Sequence, residues 1–409
     1  MTAVFQGLKK SVFQRFPSGI WLMMGLDVLM VIGWSAASPF LALYLHNERG
    51  LSMSLVGTIF LFGGLTSGAT NLIGGMLTDR FGRRRLLLTV CGISTLTSIG
   101  MALLIGFSTP VWLIAFAFIT VRSINGVVGP TTGAIVADLA PPNRLAEAYA
   151  VVRIGGNVGF AIGPALGGFL MGYISYGWVF SISAIVSLMT VVLVYFFLRE
   201  SFGGSKTRVD LRSTLAVSGD RPFLAFAIVC VLLVLSIGHL GGALSIYTVD
   251  WLGFSTAQYG LLLTTNGILV VVFQYPVTRL VDRLPRSYGL ILGSLFYVAG
   301  YATLGWISSF NWALFVIVLI TAGEVTLTPI ASAVVAESAP PDKRGRYMGF
   351  FGLSQTLGYS LAPLFGGVLL DLFPSQSRIL WGIIGSVGVV TAVGFYIWGR
   401  MAARRKRVL

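Results

Sequence analysis

Two carboxylic acids and one arginine stand where charge is costly. Asp27, Glu324 and Arg122 each lie inside a long apolar stretch of the chain. An ionisable side chain there has to be hydrated, paired or neutralised, so each marks a candidate site. At helical spacing, Trp34 and Ser38 share a face with Asp27, and Met23 and Met30 lie beside it. An acid among aromatic and methionine side chains suits varied lipophilic cations. Glu324 has Thr321 and Thr328 on one face. A carboxyl that meets apolar surroundings and water in turn can load a proton on one side and release it on the other. Arg122 stands roughly 16 Å along its helix at 1.5 Å per residue, too deep to snorkel. Without water or a partner it costs at least ~2.5 kcal/mol there.

Other polar residues in apolar stretches are weaker candidates for the same cavity. His239 could titrate near neutrality, although a lone histidine in a helix bundle also serves as a packing residue. Asn266 and Gln274 are eight apart and close to one face; Asn125 follows Arg122 by three. Arg153 lies near a helix end, where it can snorkel. Cys91 and Cys230 read as small core residues, and two histidines do not make a multi-histidine metal site. No paired acids with histidine recur at helical spacing. The pattern therefore predicts no enzyme, no metal and no organic cofactor, with the proton as coupling ion.

The elements that hold these residues follow from composition. Of 409 residues, 56% are hydrophobic and 10% charged, against about 25% charged in soluble chains. A water-soluble shell cannot be built from this, which excludes a soluble enzyme and a disordered protein. The net charge of +14 sits in short breaks between apolar runs, so it does not point to nucleic acid. A membrane helix needs about 20 apolar residues. Twelve such runs are expected, at 20–45, 54–77, 86–107, 111–137, 145–172, 177–198, 222–248, 257–279, 287–308, 311–336, 344–372 and 377–399. The first is too long, and lacks a small-residue cleavage site, for a cleavable signal peptide. With both termini inside, 24 of the 28 Lys and Arg fall on the inner side, including Lys9, Lys10 and Arg15, and only Arg49 and Arg378 fall in outer loops. That bias predicts a multi-pass protein of the cell (inner) membrane with cytoplasmic termini, its basic loops meeting anionic lipid headgroups. A polar, basic segment at 199–221 divides an N-terminal six-helix bundle (1–198) from a C-terminal one (222–409).

The halves repeat. Asp79-Arg80-Phe81-Gly82-Arg83 matches Asp282-Arg283-Leu284-Pro285-Arg286 at an offset of 203. Val136-Ala137-Asp138 matches Val335-Ala336-Glu337 at 199, and the same offset maps Pro164 onto Pro363, Gly167-Gly168 onto Gly366-Gly367, and Asn125 onto Glu324. A 6+6 repeat predicts a pseudo-two-fold axis along the membrane normal with a cavity between the halves, and Asn125 and Glu324 aimed at it.

Three motifs carry a resemblance. Gly74-Gly75-Met76-Leu77-Thr78-Asp79-Arg80-Phe81-Gly82-Arg83-Arg84-Arg85 resembles the loop between spans 2 and 3 of the major facilitator superfamily. Val121-Arg122-Ser123-Ile124-Asn125-Gly126 is similar to its span-4 motif, with Asn125 where glutamine is commoner. Gly159, Gly163, Pro164, Gly167 and Gly168 match the span-5 pattern of its antiporter branch. Read from residues alone, that last pattern is a small-residue helix face with a proline bend. It is not a dinucleotide loop, because no strand precedes it and no acid follows about 20 residues on.

The resemblance spans essentially the whole chain and is strongest to the twelve-span drug:proton antiporters. It implies an all-α fold of two pseudo-symmetric six-helix bundles and alternating access. It also implies a conformational latch in which Asp79 and a basic residue, here Arg83, engage an acid at the end of span 4, here Asp138, and the start of span 11, with Gly75, Arg80 and Gly82 in the same motif. The second copy carries Pro285 in place of glycine, which leaves a matching latch there less expected. The function implied is proton-coupled efflux of lipophilic or amphipathic small molecules. The alternatives are proton-driven uptake of a nutrient and export of a lipid-like amphiphile with Arg122 at its headgroup. Nothing demands more than a monomer.

Overall fold

A computed structural model describes residues 16–141, 144–200, 216–340 and 343–408. Lys9, Lys10, Arg15 and most of the 199–221 segment lie outside the described residues. Twelve helices are long and apolar enough to cross a bilayer: α1 (Ser18–Glu48), α2 (Met53–Phe81), α3 (Arg83–Gly106), α4 (Val111–Leu139), α5 (Glu147–Leu170), α6 (Tyr176–Phe197), α7 (Arg221–Trp251), α8 (Thr256–Val281), α9 (Arg286–Leu304), α10 (Phe310–Ser338), α11 (Gly345–Leu372) and α12 (Ser377–Ala403). They fall on the expected runs, with ends moved by a few residues.

Within the first six helices, α1 packs on α5 and α6, α3 on α4 and α6, and α2 on α4. In the last six, α7 packs on α11 and α12, α9 on α10 and α12, and α8 on α10. Two large contacts, α2 with α11 and α5 with α8, and a smaller one of α1 with α7 join the halves. Small residues line the two large ones. A Cβ on Gly57 would lie 2.5 Å from Leu364 Cα, and one on Gly267 would lie 2.9 Å from Ala161 Cα. Gly64 faces Ser360, Gly68 faces Thr356, Gly260 faces Pro164, and Gly367 faces Met53. Small residues let backbones approach and gain dispersion contact where lipid supplies no hydrophobic drive.

These contacts cover only the part of each helix nearest the α1–α2 connection. Polar bonds finish the closure at that end. Asn47 donates to Asp250 (2.8 Å), Thr256 donates to the Gly168 carbonyl (3.0 Å), and Asp371 accepts from the Met53 and Ser54 backbone N–H groups (2.9 and 2.7 Å). Towards the α2–α3 end of α2 and α11, a Cβ on Gly75, Gly345 or Gly352 would instead meet nothing within 4 Å. The bundle is thus shut at the α1–α2 end and parted at the other.

A further stretch of the repeat emerges in the backbone. α1 ends in a π-helical turn at Tyr44–Glu48 and α7 in one at Tyr247–Trp251. Gly50 and Gly253 follow with positive φ (67° and 71°), and Ser52 and Ser255 cap the next helices. All three pairs share the offset of 203, and the first tyrosine of the π turn, the glycine and the serine are identical in the two halves. Glycine is needed at the turn because a Cβ is strained at such φ.

Candidate functional site

A cavity of about 600 Å³ lies between the halves, lined by residues of α1, α2, α4, α5, α7, α8, α10 and α11. Glu324 opens onto it from the middle of α10, with Arg122, Trp34, Asn266 and Tyr359 around it. The glutamate is clasped: Asn266 Nδ2 donates to its carboxylate (3.0 Å) and to Thr321 Oγ1 (2.9 Å). Arg153, on α5 of the other half, lies within electrostatic reach of the same carboxylate. One acid is therefore addressed from both halves.

A second cavity, of about 330 Å³, sits inside the first half among α1, α3, α4 and α6. Asp27 lines this chamber and not the larger one, with its carboxylate turned onto Gly156 of α5. Asn125 also faces the chamber, accepting from Ser94 (3.0 Å). The expectation that Asn125 and Glu324 line one cavity is corrected: α4 breaks its helix after Asn125, and that side chain turns to α3. The cavities adjoin, since Val31, Trp34, Ser38, Phe118 and Arg122 line both. Trp34 stacks on Phe160 of α5 at 6.3 Å. Arg122 stands at the waist, and among the described residues its guanidinium has no hydrogen-bond or ion-pair partner.

Two residues expected at the cavity are elsewhere. His239 is fully buried, pressed on Gly366 and ringed by Tyr301 and Phe365, and neither ring nitrogen has a hydrogen bond. The break of α7 at Gly238–Gly241 turns it away from the axis. Gln274 donates to the Val325 carbonyl (3.0 Å), tying α8 to α10 and lining neither cavity. Asn266, eight residues before it, does reach the site.

The charge cluster at the α2–α3 connection has the expected core. Arg83 is buried and bridges Asp79 (3.3 Å) and Asp138 (3.0 Å), joining α2, α3 and α4. Gly82, at φ 86°, makes the sharp turn between α2 and α3. Arg80 is outside the cluster, exposed and over the Phe81 ring, and a Cβ on Gly75 would meet open space. Sequence reasoning missed Glu200, whose carboxylate accepts from the Arg83 and Arg84 backbone N–H groups (2.9 and 3.2 Å) and so caps α3 from across the half. The doubt about the second copy is also corrected. Arg286 bridges Asp282 and Glu337, both at 2.9 Å, because Pro285 starts α9 as Gly82 starts α3.

The span-5 motif divides its labour. Gly159, Gly163 and Gly167 let α5 close on α1, at Val28, Ser35 and Ala36, while Pro164 and Gly168 meet α8 of the other half. The echo on α11 does the same: Gly358 and Gly366 meet α7, and Gly367 meets α2. The pattern packs helix on helix in both halves.

Comparison with known proteins agrees with this architecture. The family model for the Major Facilitator Superfamily matches residues 23–250 and 224–408. The MFS-type transporter YttB of Bacillus subtilis (strain 168) is 29% identical over 355 residues, covering 86% of this chain and 88% of that one. A Na(+), Li(+), K(+)/H(+) antiporter of Planococcus maritimus is 26% identical, covering 88% and 90%. Multidrug resistance protein MdtH of Escherichia coli (strain K12 / DH10B) is 23% identical, covering 93% and 94%. Among solved structures, the nucleoside transporter NupG superposes with a TM-score of 0.77 at 14% identity, covering 93% and 99%. With the model matched across the chain and the twelve-helix fold shared, this protein belongs to the major facilitator superfamily, as an integral multi-pass membrane transporter and not an enzyme.

Proposed function

We propose that this carrier exports lipophilic or amphipathic small molecules in exchange for protons. The observation that carries this is Glu324: a carboxyl midway along α10, open to the cavity between the halves and held by Asn266. A group so placed changes surroundings when the halves rock, which is what proton exchange requires. Walls that are mostly apolar by area favour an amphipathic guest. The MdtH relative supports the efflux direction. The Lys and Arg distribution puts the α2–α3 end and both termini on the cytoplasmic side, so the described state opens inward. Residues 1–198 and 222–409 act as the two rocking bodies, the 199–221 segment links them, and a monomer suffices.

The test is exchange in proteoliposomes under an imposed pH gradient. Proton flux coupled to substrate, abolished in Glu324→Gln with counterflow retained, supports the proposal; absence of any gradient-driven exchange rejects it. A second reading, exchange of an alkali cation for protons, is favoured by the Planococcus maritimus relative. Radiolabelled sodium uptake in the same vesicles separates the two.

A further inference from the structure

We propose that the two adjoining cavities form one bipartite site for an anionic amphiphile: an oxyanion head pairs with Arg122, and a single apolar arm enters the chamber among α1, α3, α4 and α6. This deepens the transport reading above and rests on it for movement across the membrane, but the binding claim stands on its own geometry.

Charge decides the head. Each acid of the site is already engaged within the protein. Glu324 accepts from Asn266, and the Asp27 carboxylate is turned onto Gly156 of α5. Arg122, which lines both cavities, has no hydrogen-bond or ion-pair partner among the described residues. The charged group left open to a guest is therefore the cation. A guanidinium presents planar, forked donors that match a carboxylate, sulfonate or phosphate. An unpaired arginine at this depth is costly, so an anion that pairs with it recovers part of that cost.

The walls decide the arm. The chamber is faced by Met30, Met101, Val121, Phe180 and Val186. Its hydroxyls are largely committed elsewhere. Ser94 donates to Asn125, Ser183 to the Gly33 carbonyl, Ser187 to the Cys91 carbonyl and Thr190 to the Val186 carbonyl. A polar arm would find few free partners, whereas an apolar arm loses nothing by burial and gains contact with adaptable methionines. Asp27 is the one acid in the wall, and its carboxylate faces α5, so the head belongs at the waist, on the Arg122 side.

The test is equilibrium binding to the full chain in nanodiscs, with empty discs subtracted. The probes are decanoate and decyltrimethylammonium, which share an arm and differ in head charge. Decanoate is expected to bind at least tenfold tighter, and Arg122→Gln to erase that preference. From hexanoate to decanoate, affinity should rise about fourfold per methylene. Ser98→Phe, in the chamber wall, should flatten that rise while hexanoate binding is kept, which a misfolded chain could not do. An affinity that levels off before octadecanoate assigns the site to short amphiphiles; one that keeps rising assigns the same head-and-arm chemistry to membrane lipids. Tighter binding of the cation, an Arg122→Gln variant with unchanged preference, or an unchanged slope in Ser98→Phe overturns the proposal. Proton-driven export of cations without anion preference would sink only this site assignment. Anion binding as described without any proton-driven flux would sink only the transport coupling.

Discussion

A single methyl group placed on Gly57 should push the carrier towards its other face. At Gly57 the α2–α11 contact is made of backbone: a Cβ there would lie 2.5 Å from both Leu364 Cα and the Pro363 carbonyl oxygen, and 2.8 Å from Leu364 N. Ordinary contact begins near 3.4 Å, so the two helices have to part by about 0.9 Å at this point. No flexible side chain can yield, because all three atoms are main chain. Overpacking of this kind costs ~1–3 kcal/mol, and a bias of that size shifts a two-state equilibrium by roughly 5- to 150-fold. The state with the α1–α2 end open does not carry the cost, since its helices are already apart there. Gly57→Ala should therefore populate it. The assay is pulsed electron spin resonance between labels at Phe107→Cys and Trp312→Cys, exposed positions in the two halves at that end, in a Cys91→Ser, Cys230→Ser background. The long-distance fraction should grow strongly. Gly75→Ala is the control, because its Cβ meets nothing. An unchanged distance distribution in Gly57→Ala, or an equal shift in Gly75→Ala, would refute the argument that backbone contact holds this end shut.

Other outcomes follow from the same structure. Asp371→Asn leaves one acceptor and one amide facing the Met53 and Ser54 N–H groups, so the closed end should weaken by ~1–2 kcal/mol and the same spin labels should report a smaller opening. Arg83→Lys should lower thermal stability in detergent almost as much as Arg83→Gln, by ~1–3 kcal/mol, since a point charge cannot bridge Asp79 and Asp138 from a buried stem. Arg286→Gln should cost under ~1 kcal/mol, because that arginine is 30% exposed and its acids are more open still. Glu200→Ala should cost ~0.5–2 kcal/mol through the lost cap of α3, measured by the same melting curve.

The sequence shows its architecture through quantities that add along the chain. Span count, side preference and the 6+6 repeat rest on hydropathy, Lys and Arg placement and matched motifs, and the helices fall where these put them. The deep ionisable residues were also legible, because charge at mid-span is expensive whatever it faces; Asp27, Arg122 and Glu324 all line cavities. What periodicity could not show is where a helix stops being regular. The breaks after Asn125 and around Gly238 turn Asn125 and His239 off the expected faces. Partners far apart in sequence were equally hidden. Glu200 reads as one of several linker charges, and nothing in its neighbours says that it caps a helix 117 residues away. Pro285 for glycine looked like loss of the second latch, yet a proline can start a helix as well as a glycine can end one, and Arg286 keeps both its acids.

The two ends of the bundle are held by different forces, and the difference matters for a carrier. At the α2–α3 end the ionic bridges lie within a half: Arg83 ties α2, α3 and α4 together, and Arg286 ties α8, α9 and α10. Rocking of one half against the other leaves them intact. What has to break between the halves is glycine packing and a few hydrogen bonds, from Asn47 to Asp250, from Thr256 to Gly168, and from Met53 and Ser54 to Asp371. Each such bond contributes about 1 kcal/mol net. On the proposed exchange cycle, the packing lost at one end would be regained as the opposite ends of the same helices meet, and one ion pair at Arg122 or one proton at Glu324 would supply the bias that selects a state. Had the halves been joined across their interface by bridges as buried as the one at Arg83, breaking them would cost more than a small guest could offset, and the bundle would be a pore lining without a cycle. On that proposed cycle, keeping the strong electrostatics inside each half, and weak contact between them, would let a few ionisable groups on the axis decide which end opens.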